Sequence, residues 1–105
     1  LFQKCYAHFD ADEEPDRAAI AKWSMGKTLR AMGKLNEALD LHRELERGPK
    51  PDGFVYEEIA ECLYEMGQLG DSKAYFKRAH EILSQIDWVA EDVERLERLK
   101  SLSVP

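Results

Sequence analysis

Cysteine is scarce in this 105-residue chain: there are two, Cys5 and Cys62, in no CxxC pair and at no metal-like spacing. That sets aside a disulfide scaffold and a thiolate-built zinc site. The reading is two reduced thiols packed as small apolar residues, which fits a reducing, cytoplasmic compartment; one disulfide between them is the alternative. Basic charge is short as well, with 15 Lys and Arg against 21 Asp and Glu and a net charge of −6. Without a basic stripe, nucleic acid and anionic membrane surfaces are excluded as partners. No apolar run approaches the roughly 20 residues that a membrane helix needs. HExxH, a His/Cys cluster, GxSxG, GxGxxG and a phosphate-cradling glycine loop are all missing, so no metal and no cofactor are expected. The chain opens on Leu1 rather than methionine, which reads as a piece of something longer.

What is present points to a small ordered domain: 44% hydrophobic and 34% charged residues. Proline is confined to positions 15, 49, 51 and 105, and most glycines punctuate rather than interrupt. Between them apolar residues recur at three and four, the helical period, and no useful stretch alternates as a strand would. The fold expected is therefore all-α, one domain of about six helices. The first covers about 1–11, with Phe2, Tyr6 and Phe9 on one stripe. The second runs from Pro15 to about Met32, with Ile20, Trp23, Met25 and Leu29 among its apolar positions, and stops at Gly33. The third is Leu35–Arg47, with Leu35, Ala38, Leu39, Leu41 and Leu45 inward, ended by Gly48-Pro49-Lys50-Pro51. Asp52 caps the fourth, about 53–66, which Gly67 closes. The fifth is about 70–85, with Tyr75, Phe76, Ala79, Ile82 and Leu83. Asp87 is expected to cap a single last helix, about 88–101, carrying Val89, Val93, Leu96 and Leu99.

Two heptapeptides, LRAMGKL from Leu29 and LYEMGQL from Leu63, place equivalent glycines 34 residues apart. Residues 19–52 and 53–86 share helix, turn and helix at that offset. Tyr56, Ile59, Ala60, Leu63, Ser72 and Phe76 in the second unit align with Lys22, Met25, Gly26, Leu29, Ala38 and His42 in the first. This pattern resembles the tetratricopeptide repeat family, a 34-residue helix-turn-helix unit. The aromatic slot holds Lys22 in the first unit, and the terminal proline slot holds Lys50 and then Ser84. The resemblance implies an α-α superhelix of antiparallel pairs: a partial repeat at 1–18, repeats at 19–52 and 53–86, and a capping helix at 87–105. That capping helix is read as charged outside, at Glu91, Glu94, Arg95, Glu97 and Arg98, and apolar inside. The stretch from Leu83 to Leu99 also resembles the tail of small bacterial proteins of that family.

The resemblance further implies a binding groove lined by the first helix of each unit. Its residues would be Trp23, Lys27, Arg30 and Ala31 from the first unit, and Glu57, Glu61, Tyr64 and Glu65 from the second, with Trp23 and Tyr64 as aromatic anchors. The partner expected is a protein or peptide, basic or of mixed charge, because the groove is acidic. Glu57, Glu61 and Glu65 run at i, i+4 and i+8 and are read as a solvated stripe, since nothing in a regular exposed row separates an acid from a base. Among the histidines, His42 stands in the slot of Phe76 and is read as packed. No nucleophile–base constellation is legible, so the function expected is non-catalytic binding. Self-association through residues 1–12 is the alternative and an enzyme the outsider.

Overall fold

A computed structural model describes residues 14–48 and 52–104. The expected first helix with Phe2, Tyr6 and Phe9, the residues Cys5 and His8, and the Pro49–Pro51 loop lie outside the described residues. Among the described residues there are six helices and no strand: α1 Glu14–Ala31, α2 Leu35–Glu46, α3 Gly53–Glu65, α4 Leu69–Leu83, α5 Asp87–Ala90 and α6 Val93–Ser103. None is long and apolar enough to cross a membrane.

The α1–α2 and α3–α4 turns are built alike. Gly33 and Gly67 both take φ 82°, the left-handed conformation that ends a helix without a Cβ penalty. At the first turn the Lys34 N–H donates to the Leu29 carbonyl (2.8 Å) and Gly33 to Arg30 (2.9 Å). At the second, Gln68 donates to Leu63 (2.9 Å) and Gly67 to Tyr64 (3.0 Å). The residues opening α2 and α4, Lys34 and Gln68, have nearly the same dihedrals, −86°, 69° and −87°, 69°. The two turns therefore match in dihedrals and hydrogen bonds at the 34-residue offset.

Asp52 caps α3 as the sequence indicates, accepting from the Val55 N–H at 3.0 Å. The end of the chain differs from expectation. The last helix is two helices, because Asp92 leaves helical geometry (φ −87°, ψ 78°) and its carboxylate accepts from the Arg95 N–H at 3.2 Å. An aspartate that can cap competes with a continuous helix, so α6 starts afresh there. Asp87 instead occupies the first turn of α5, behind Ile86.

The core falls into two clusters that meet at α3. Tyr56 and Ala60 pack with Phe76, Ala79, Leu83, Val89 and Leu99 on one side. Val55, Ile59, Cys62 and Leu63 pack with Ala38 and Leu39 on the other. The small residues sit where helices converge. Gly26 is buried against the His42 ring, and Ala38, Ala60 and Ser72 are buried too. Inward positions expected at Leu35, Leu41, Leu45 and Leu96 are half-buried. Ile20, Met25, Ile82 and Val93, by contrast, are exposed. On α1 the packed face is Trp23, Gly26, Leu29 and Arg30, and Ile20 and Met25 lie off it.

Candidate binding face

Being packed on two sides, α3 turns its third face, with Phe54, Glu57, Glu58, Glu61, Tyr64 and Glu65, toward α1 on one flank and α6 on the other. On the α1 flank, Arg30 Nε donates to Glu58 Oε1 (2.9 Å), Nη2 to Glu58 Oε2 (3.4 Å) and Nη1 to Glu65 Oε2 (2.8 Å). On the α6 flank, Arg95 donates from Nε to Glu57 Oε2 (2.8 Å) and from Nη2 to Oε1. Arg98 donates in the same forked manner to Glu61, at 3.1 and 2.8 Å. Carboxylates four residues apart on α3 thus meet guanidiniums three residues apart on α6, both spacings being one turn.

The acidic stripe is accordingly not a solvated face. Glu57 and Glu58 are buried, and all four carboxylates are engaged by arginines. Arg95 is half-buried rather than on the outer surface as expected, while Glu91, Glu94, Glu97 and Arg98 are exposed. Burial works against the Arg30 charge, but hydrogen bonds to Glu58 and Glu65 outweigh it and raise the guanidinium above its ordinary value. Bonding to Glu57 and to Glu61 does the same for Arg95 and Arg98.

Across the N-terminal end of this face runs an aromatic row. Trp23 meets Phe54 edge-on with centroids 6.2 Å apart, and its Nε1–H donates to the Phe54 carbonyl at 3.3 Å. Phe54 in turn stacks on Trp88 of α5, at 5.6 Å and 13°. Lys27 Nζ stands 4.7 Å from the Trp23 ring and Arg95 5.3 Å from Phe54. Trp88 is 62% exposed, so its outer ring face is open to a ligand. At the other end Tyr64 is exposed under Arg98, 5.8 Å away. It also borders a shallow cleft of about 160 Å³ with Leu69, Ser72, Lys73, Ser101, Leu102 and Val104.

The eight groove residues named from sequence come from α1 and α3. Trp23 and Lys27 fall in one group with Phe54, Arg95 and Glu57. Arg30 and Glu65 fall in a second with Glu58, and Glu61 and Tyr64 in a third with Arg98. Ala31 is exposed at the end of α1. Sequence reasoning missed Phe54, Glu58, Trp88, Arg95 and Arg98. The matched one-turn spacings of Glu57/Glu61 and Arg95/Arg98 were the available signal for two of them.

Two reactive residue types lie beneath this face. The Cys62 thiol is free, fully buried and pushed up to about 12 by burial and then by the neighbouring Glu58, so it offers no thiolate. His42 is fully buried and neither ring nitrogen has a partner. Its Nε2 stands 3.9 Å from Glu58 Oε1, beyond hydrogen-bond reach. Burial, with Arg30 adding to it, lowers its pKa to about 4 and keeps the ring neutral. Among the described residues no group of three or more His, Cys, Asp or Glu is placed to hold a metal ion. No protein family, curated protein or solved structure matches the chain.

Proposed function

We propose that the chain is a tetratricopeptide-type repeat array that binds a protein or peptide segment along the face shared by α1, α3 and α6, without catalysis. The repeated turn geometry and the buried small residues at equivalent positions support the repeat reading. The observation that carries the binding role is the aromatic row Trp23–Phe54–Trp88, which leaves a large indole exposed beside a partly buried ladder of ion pairs. Tryptophan and tyrosine set into a rigid surface supply much contact area at small entropic cost, which is why they dominate binding energetics. The ion pairs hold α1 and α6 at fixed positions beside α3, so the face is preorganised.

The four carboxylates are balanced by three guanidiniums and Lys27, so the face carries no net charge. The partner is thus a segment of mixed charge read chiefly through its apolar side chains. A reducing, cytoplasmic setting suits the free Cys62.

The test is a peptide selected from a random display library on the full chain, titrated while tryptophan fluorescence is followed. Trp88→Ala and Tyr64→Ala should each weaken binding about tenfold or more, with the helical circular dichroism spectrum of the parent retained. Selected peptides whose affinity ignores both substitutions would sink the proposal.

A further inference from the structure

The rings of the aromatic row are engaged unequally. Trp23 donates its indole N–H to the Phe54 carbonyl and has Lys27 over its ring; Phe54 has Arg95. Trp88 stacks on Phe54 with one face, is otherwise exposed, and its Nε1–H has no hydrogen-bond partner among the described residues. Tyr64, at the far end of α3, is exposed too, and its hydroxyl likewise has no partner among them. Between these two ends the charged groups answer one another: Glu57 with Arg95, Glu61 with Arg98, and Glu58 and Glu65 with Arg30. The face thus offers rings and neutral donors at its ends, and little unpaired charge.

That arrangement selects among the backbone conformations a partner could bring. Strand addition needs a sheet edge, and the described residues form no strand. A docked helix needs a continuous apolar groove for anchors at three-four spacing, whereas the middle of this face is a ladder of ion pairs. A polyproline II segment meets both conditions. It makes no internal hydrogen bonds, so its carbonyls are free to accept from the indole N–H and the Tyr64 hydroxyl. Its prolines bring uncharged rings that lie against an indole, and no backbone N–H that the face would have to satisfy. Phe54 and Tyr64 are ten residues apart on α3, about 15 Å of helix. At about 3.1 Å per residue, about five residues of polyproline II cover that distance.

We propose that the segment this face takes is proline-rich and in the polyproline II conformation. One proline lies on the open side of the Trp88 indole, whose Nε1–H donates to a carbonyl of the segment. A second apolar residue, about five positions along, sits at Tyr64 and the cleft it borders with Leu69, Leu102 and Val104. The inference rests on the binding face proposed above and names the class of segment it accepts.

Decaproline titrated into the full chain, with tryptophan fluorescence followed, tests this against a glycine–serine peptide of equal length. Decaproline should bind about tenfold or more tightly than that control, because its conformation is already set before it docks. Trp88→Phe keeps a ring to stack on Phe54 but removes the indole donor, and should weaken decaproline about fivefold; Trp23 remains as the reporter. Decaproline binding no better than the control, or binding unchanged in Trp88→Phe, would overturn the inference. Display-selected peptides that need Trp88 yet contain no proline would overturn it as well and leave the binding face standing. If selected peptides ignore both Trp88 and Tyr64, the face itself falls and this inference with it.

Discussion

Gly26 lies directly under the His42 ring: a Cβ built on it would come within 2.7 Å of Cε1 and closer still to Nε2. This contact sets how closely α1 and α2 approach, and any side chain at position 26 would have to displace the ring. Gly26→Ala should therefore destabilise the fold, although alanine is the better helix former by about 1 kcal/mol. The ring is fully buried and cannot swing clear, so overpacking costs about 3 kcal/mol and the net loss is about 2. Urea denaturation of the two proteins measures it, and a Gly26→Ala variant more stable than the parent would contradict the packing.

His42 also makes stability depend on pH. Its folded-state pKa, about 4, lies below the ordinary 6.5, so the unfolded chain takes up the proton first. The contribution is complete above about pH 7 and drains away as pH falls through 6.5 toward 4. By pH 5 the loss should be about 2 kcal/mol. His42→Phe, copying the residue of the equivalent slot at Phe76, should flatten this part of the profile. Melting curves between pH 4 and 8 give the comparison; a slope that persists in the variant would assign it elsewhere.

The ion pairs should differ sharply in worth. Glu58 has 4% of its side chain exposed and its partner Arg30 26%, so Glu58→Ala removes two charged hydrogen bonds from a largely desolvated guanidinium, leaves it only Glu65, and should cost about 2 kcal/mol. Arg98 is 51% exposed, and Arg98→Ala should cost less than about 1 kcal/mol. Equal costs in chemical denaturation would contradict the burial seen here.

At Gly33 and Gly67 the requirement is purely one of backbone. Both have φ 82°, and an added Cβ would meet nothing within 4 Å. Alanine at either position should cost about 1–2 kcal/mol. The two losses should be nearly equal, because the turns match in dihedrals and hydrogen bonds. A marked inequality in thermal unfolding would show that the hairpins are not equivalent.

Much of this could be read from sequence. Gly33, Gly67 and Asp52 are local signals whose physics lies within a few residues, and each acts where expected. What escaped depends on relations between helices. Whether Glu57 faces water or Arg95 is decided by α6 lying beside α3, and no pattern within α3 contains that. Ile20 and Met25 carry a helical period that says they pack, though not which neighbour covers them. The break at Asp92 was missed for a smaller reason. Only Asp87 reads as a cap, and Asp92 lies inside a stretch whose apolar spacing reads as one continuous helix. Trp88 has no repeat partner or stripe in the sequence to single it out, yet it stacks on Phe54 and is the most exposed member of the aromatic row.

The claim on which the account rests is that the face joining α1, α3 and α6 is where a partner binds. The chain has two tryptophans, and Trp23 and Trp88 both stand on that face, so their indole N–H signals report on it directly. In a nitrogen-15 NMR titration with a display-selected peptide, both indole signals should shift together with Tyr64. Exposed residues of the outer helices, such as Asp40 of α2 and Lys77 of α4, should stay in place. Shifts gathered on those outer helices, with both indoles unmoved, would contradict it.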